Sequence, residues 1–425
     1  MRTPIGVLLA ALIALPAAGQ TARKTLTLSD CIRLALGAQS AVTVARQESE
    51  VAGHGLTQAR AGFLPQVQYG NGYTYNSPRR DSRDEFSFVA LNGIREYTSQ
   101  LTAVQELDTS GRVRAALARA RADRDAAAVN LRLTERDLKR AVAAAFYQLL
   151  LARRLVVVNQ EALAEGRSFE KRARLLFENG EAAQADLVKA SSQVAFLEQA
   201  QRAAELEAQI ANHALASFWT REVADPLSVA DALEQPLTPP EPPAPASEPF
   251  MRRLEFNLLE AQRRGFQADA RRARAELFPQ ASFVFQYGLD SLRWSMRERG
   301  YAAFVNLNIP VFDWLKTRSL ARQFQLRTRQ VETTREITAR NFSRDYQTAA
   351  ARVKLIYDQL EFTQSQVKLS EENLRLSRVR YEGGEGTALD VVAAQNQLTQ
   401  ARMNHYTAVA NYLNARADLE VAAGS

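Results

Sequence analysis

The chain has 425 residues, a formal net charge of +7, one cysteine and three histidines, enough length for two or three ordinary domains. A lone cysteine excludes an internal disulfide, and His54, His213 and His405 stand apart without zinc-like spacing, so no metal site is expected. No Gly-rich phosphate loop or Ser nucleophile motif points to an enzyme or a cofactor, and the arginines alternate with Asp and Glu along helical stretches, which reads as solvated helix faces and not as a nucleic-acid footprint.

Residues 1–19 read as a secretory signal peptide. Arg2 supplies the positive start, Ile5 to Leu15 are apolar, and the small residues Ala17, Ala18 and Gly19 follow. That apolar run is about eleven residues, where a spanning helix needs roughly twenty. Cys31 follows Leu28-Ser29-Asp30, a polar approach that suits a helix residue and not an acylated N-terminus. Beyond Gly19 the most apolar window, Ala141 to Val158, carries Arg153 and Arg154, so no transmembrane helix is expected and a membrane would be crossed by strands only.

Residues 20–232 form a first repeat. A helix leads into Arg60-Ala-Gly-Phe-Leu-Pro-Gln66, and two strand-like runs follow at 66–76 and 97–107. Val67, Tyr69, Tyr73 and Tyr75 alternate with Gln68, Gly70, Gly72 and Thr74; Tyr97, Leu101, Ala103 and Leu107 alternate with Thr98, Gln100 and Thr102. Period-two patterning marks strands with one apolar and one polar face. From about Arg112 to Glu178 the sequence holds no proline and one glycine, Gly166, which predicts one helix approaching 100 Å at about 1.5 Å per residue. A hairpin is expected at 178–184, at Phe177-Glu-Asn-Gly-Glu181, with helix resuming near Asp186.

Half of the fourteen prolines lie between Pro236 and Pro249. Residues 233–249 therefore read as a linker running over the surface. Residues 250–425 then repeat the first order: Arg274-Ala-Glu-Leu-Phe-Pro-Gln280, strands at 280–289 and 301–311, a helix from about Thr317, a hairpin at 382–387 within Tyr381-Glu-Gly-Gly-Glu385, and a returning helix with Asp390. In the last strand Ala303, Val305, Leu307, Ile309 and Val311 are expected on one face. Runs of about ten residues cross a bilayer when tilted, four strands cannot close a barrel, and open edges in lipid cost several kcal/mol per unpaired group. If the strands span a membrane, several copies must share one barrel. A soluble sheet packed on the helices would alternate in the same way. The long, Ala-rich helices, with a seam through Leu117, Ala120, Ala127, Leu131 and Leu138, fit equally a periplasmic coiled-coil scaffold.

With these elements in this order, the chain resembles the TolC family of outer-membrane efflux and secretion proteins, from about Leu26 to Ala422. The resemblance rests on the duplicated layout, the Pro-Gln junctions, Asp108 and Asp313 opening each post-strand helix, and Arg380-Tyr-Glu-Gly-Gly-Glu-Gly-Thr-Ala-Leu-Asp-Val-Val392, which is similar to R-Y-x-x-G-x-x-(S/T)-x-x-D-(V/L). It implies a mainly α fold with a small transmembrane β part: an α-helical barrel of coiled-coil-like helices, and four strands per chain in a shared outer-membrane β-barrel. It implies a homotrimer in outer-membrane lipid, acting as the exit duct of a tripartite efflux or type I secretion system, with a periplasmic adaptor and an inner-membrane transporter as partners. It implies that Asn179, Gly180, Glu181, Gly383, Gly384, Glu385 and Thr387 lie at hairpin tips that dock the adaptor. Asp390 is expected in an acidic ring at the tunnel mouth, and Asp186 and Tyr381 in a hydrogen-bonded pair that holds the entrance shut. Two positions depart from the pattern: Ala393 stands where a second ring aspartate is expected, and Gly386 where a gate arginine is expected. A weaker cation preference and a looser closed state follow from those departures.

Overall fold

The computed structural model describes residues 25–78, 93–240 and 248–424. The expected signal peptide at 1–19 and most of the first inter-strand loop lie outside these. Each half runs helix, strand, strand, long helix, returning helix. The first half contains α1 (Leu28–Gly37), α2 (Ala41–Ala61), β1 (Gln66–Tyr75), β2 (Arg95–Leu107), α3 (Arg112–Glu178) and α4 (Gln184–Ala216). The second contains α5 (Leu254–Ala275), β3 (Gln280–Ser291), β4 (Gly300–Asn308), α6 (Lys316–Glu382) and α7 (Ala388–Ala422). α3 and α6 have 67 residues each, about 100 Å of helix.

The recurrent Pro-Gln pair has a physical reason. A helix ends with unpaired carbonyls. The Gln66 amide donates to the Ala61 and Leu64 carbonyls at 3.1 and 3.3 Å, and Gln280 donates to Ala275 and Phe278, both at 2.9 Å. The preceding proline prevents further helix, so the chain turns into a strand with its end groups satisfied. The two aspartates work at the next corner. Asp108 accepts from the Val113 and Arg114 amides at 2.9 and 3.3 Å, and Asp313 from the Thr317 amide at 2.8 Å. Carboxylates there also suit the positive end of a helix.

The four strands form one antiparallel sheet in the order β1-β2-β3-β4. Register aligns the apolar sets: Tyr69 opposes Leu101, Leu101 opposes Tyr287, and Tyr287 opposes Tyr301. The same pairing stacks Val67, Ala103, Phe285 and Ala303. Gly70, Gln100 and Gly288 pair on the opposite, polar face, where Gln100 bonds Asp290 at 3.3 Å. β1 and β4 each leave one edge unpaired within the chain. β4 ends at Asn308, short of the expected 311, so Ile309 and Val311 lie outside the strand. Pro310 lacks the N–H that a ladder needs.

Two other expectations need correction. By length and composition α3 does contain an 18-residue window apolar enough to cross a membrane, 44% of it buried. The fold places those residues in its main core: Val142, Phe146, Leu149 and Leu150 pack with Cys31, Leu215 and Val409. Arg154, near the end of the window, pairs with Asp231 and, at 2.7 Å, with Glu234. The Pro-rich stretch is also more than a surface connection. Leu233 is buried in that same core, Leu237 packs beside it, and the Tyr412 hydroxyl donates to the Thr238 carbonyl at 2.5 Å. Leucines spaced among prolines let an extended segment cross the helices with its apolar side inward. Cys31 is a fully buried helix residue of α1, and burial raises its thiol to about 11.

Candidate functional site: the double hairpin at the far end

At the end of the long helices farthest from the sheet, α3 turns into α4 and α6 into α7. Both turns are the same motif. The Gly180 amide donates to the Phe177 carbonyl at 3.0 Å and the Glu181 amide to Leu176 at 2.8 Å. In the second turn Gly384 donates to Tyr381 at 3.2 Å and Glu385 to Arg380 at 2.9 Å. These are paired Schellman bonds, which need a left-handed residue. Gly180 and Gly384 supply it at φ +77° and +75°. Gly383 has φ −80° and needs no glycine; Asn179 holds its place in the first turn at φ −81°.

The returning helices start differently. Thr387 caps α7: its hydroxyl accepts from the Asp390 amide, and the Asp390 carboxylate accepts from the Thr387 amide at 3.0 Å and its hydroxyl at 2.9 Å. This is a capping box. Asp390 is exposed, and the Thr387 amide and hydroxyl hold its carboxyl below the usual range. The N-cap of α4 is Ala183, which offers no side-chain hydrogen bond. Asp186 occupies the matching third position, half-buried.

Tyr381 is 7% exposed and packs against Phe169 with the rings tilted at 60°, centroids 5.2 Å apart. With Ala173, Ala190, Leu374, Val391 and Leu398 they form a core drawn from α3, α4, α6 and α7. The Tyr381 hydroxyl has no hydrogen-bond partner among the described residues. It borders a cavity of ≈ 60 Å³ lined by Glu165, Arg172, Arg378 and Glu382. Burial, and second the charge of Asp186, raise its pKa above that of a free tyrosine. Asp186 and Tyr381 are thus electrostatically coupled without sharing a hydrogen bond.

Charged residues that sequence reasoning did not single out fasten the two hairpins together. Arg378 pairs with Glu165, and Arg172 with Glu382, so the clasp joins α3 to α6 on either side of Tyr381. Arg402 bridges Glu161 and Glu371 at 2.8 and 2.9 Å, and Gln193 donates to Asn396 at 2.7 Å. Only pairing across the fold picks these side chains out from the many other Arg and Glu on the same helices. At Gly386 a Cβ would lie 3.0 Å from the Tyr381 amide nitrogen, so this tight turn resists any side chain where a gate arginine was expected. Among the described residues, no three His, Cys, Asp or Glu side chains converge as a metal site.

Comparison with known proteins agrees with this architecture. The chain is 27% identical over 360 residues to the pyoverdine export outer membrane protein OpmQ of Pseudomonas aeruginosa, covering 81% of this chain and 73% of that one. Its fold matches the Campylobacter jejuni CmeC outer membrane channel with a TM-score of 0.83 at 15% identity, over 93% of this chain and 85% of that one. It matches the open state of the Neisseria gonorrhoeae MtrE outer membrane channel with a TM-score of 0.81 at 21% identity, over 94% and 89%. The outer membrane efflux protein family matches twice, at residues 31–221 and 251–425, once in each half. With most of its length matched in that way, the chain belongs to the outer membrane efflux protein family and is an efflux channel of the outer membrane.

Proposed function

We propose that three copies of this chain close one twelve-stranded barrel in the outer membrane and continue as a helical tunnel into the periplasm. The observation that carries this reading is the four-stranded sheet: one apolar face, one polar face, and two edges unpaired within the chain. Lipid does not tolerate open edges, and closure by further copies satisfies them. In this reading residues 1–19 are the export signal, and 20–232 and 250–425 are the two repeats joined by 233–249. The protein is a passive duct, not an enzyme. Its hairpin tips, at Asn179, Gly180 and Glu181 and at Gly383, Gly384, Glu385 and Thr387, meet a periplasmic adaptor that couples to an inner-membrane transporter. Three exposed Asp390 carboxylates ring the tunnel mouth and favour cations. In the closed state the Tyr381 hydroxyl donates to Asp186, and that pair, with the Arg378–Glu165 and Arg172–Glu382 clasp, holds the mouth narrow. The likeness to a pyoverdine exporter favours a small-molecule cargo over a secreted protein.

The test is direct. The outer-membrane fraction is run unboiled and boiled on a gel, and the detergent-extracted species is placed in a planar bilayer. A heat-labile oligomer that conducts, with multivalent-cation block lost on Asp390→Ala, supports the duct. A soluble periplasmic species without conductance would assign the long helices to a scaffold.

A further inference from the structure

Directly below the sheet, α5 and α6 enclose a groove of ≈ 740 Å³. Arg274, Arg318, Arg322 and Arg329 line it, together with Leu277, Phe278, Leu315 and Leu326, and no carboxylate does. Arg318, Arg322 and Arg329 are spaced to share one face of α6, and none forms an ion pair with a described residue. Arg274 meets the side-chain oxygen of Gln325. A larger groove at mid-height, ≈ 850 Å³, also contains arginines, but carboxylates share it: Glu135 and Glu420 line it, Arg136 pairs with Glu255 and Arg140 with Asp418. Of these two grooves, the one at the junction is lined by arginines without a carboxylate.

That junction is also apolar. Val311, Phe312 and Trp314 are 92%, 69% and 85% exposed. Trp314 and Leu315 adopt left-handed conformations at φ 55° and 64°. Such strain on non-glycine residues persists only where the surroundings require it. It sets a bare tryptophan at the last turn before the helices, immediately under strands of bilayer-crossing length. Aromatic residues at such a boundary mark the interfacial depth of a membrane.

We infer that the α5–α6 groove binds the phosphate-bearing headgroup of an anionic phospholipid in the periplasmic leaflet of the outer membrane. The inference rests on the membrane placement of the sheet. Guanidinium groups bind phosphate oxygens in paired hydrogen bonds. Leu277, Phe278, Leu315 and Leu326 lie along the acyl stems, and Phe312 and Trp314 sit at the same depth. The site fixes the height of the duct in the membrane.

The full-length oligomer in neutral detergent is mixed with dioleoylphosphatidylglycerol, dioleoylphosphatidylcholine or inorganic phosphate, and retained lipid is counted by native mass spectrometry. The wild type is expected to retain phosphatidylglycerol over phosphatidylcholine by about tenfold or more. The exposed triple variant Arg318→Gln/Arg322→Gln/Arg329→Gln is expected to lose that preference while still conducting in a planar bilayer. Equal retention of both lipids by the conducting wild type overturns the site and leaves the duct standing. Displacement of phosphatidylglycerol by millimolar phosphate overturns the lipid and assigns a free-anion site. Dissociation of the triple variant, with no lipid preference in the wild type, gives the groove to a neighbouring copy. Loss of conductance in the wild type itself overturns the duct reading and this inference with it.

Discussion

The two hairpins at the far end share a backbone and differ in what their side chains do. Both use a left-handed glycine and the same pair of Schellman bonds. In the first, Phe177 is 39% exposed, the helix start is uncapped, and no amide among the described residues donates to the Asp186 carboxylate. In the second, Tyr381 is 7% exposed, Thr387 caps the helix, and Asp390 is held by that cap. Duplication kept the turn and divided the work. The α6–α7 hairpin is the anchored one, and the α3–α4 hairpin keeps a carboxylate, Asp186, that its helix start does not cap and whose charge acts on Tyr381 of the other hairpin.

The largest break in this comparison comes from truncating the matched aromatics. Tyr381→Ala removes a side chain packed among four helices and is expected to cost about 3 kcal/mol, read as faster amide exchange at the α6–α7 tip. Phe177→Ala, at the half-exposed counterpart, should cost under about 1 kcal/mol. Equal losses would show that the two turns are equally anchored. The glycines probe the shared part. Gly180→Ala and Gly384→Ala should each cost about 1–2 kcal/mol, because both place a Cβ at positive φ, and a difference between them would mean the turns are not equivalent in solution.

Capping effects come next. Thr387→Ala should lose about 1 kcal/mol from the second hairpin, whereas Ala183→Thr should stabilise the first by about 0.5 kcal/mol. The new box would draw Asp186 toward its own helix, and the raised pKa of Tyr381 should then fall toward that of a free tyrosine in a spectroscopic titration. Arg378→Gln removes a partly exposed ion pair worth about 0.2–1 kcal/mol, so it should barely change stability yet raise the leak current in a bilayer. The smallest effect is that of pH. The Asp390 carboxyl is held below its usual value, so its contribution is present above about pH 4 and is lost as pH falls through the lower folded value. Cation block should therefore persist into acid, and Thr387→Ala should move its loss upward in pH.

The strands and long helices were legible because their patterns are local. Alternation marked β1 through β3, and a run without proline marked α3 and α6. β4 was overextended because Ile309 and Val311 continue the alternation across Pro310, where the ladder cannot follow. The Pro-rich stretch misled for the reverse reason: prolines dominate its composition, while Leu233 and Leu237 decide where it packs. The Pro-Gln pairs stood out as repeats, but that each glutamine closes a helix end became visible only in three dimensions. The clasp was illegible because Glu165 and Arg378 lie far apart in sequence on helices crowded with equivalent charges. The turn glycines were visible in the sequence, whereas the need for glycine at Gly384 and not at Gly383 required a dihedral angle.

The register of the sheet limits how this chain can change its length. Each strand pairs residue for residue with its neighbours, so the tyrosines of four segments, with Phe283 and Phe285, fall on one side. Loss or gain of a single residue within β2 would send every later side chain of that strand to the other surface, and its partners in β1 and β3 would be mismatched together. Length variation in descendants of this gene is therefore confined to the connections between strands. Those outer loops are where related ducts can diverge without remaking the wall.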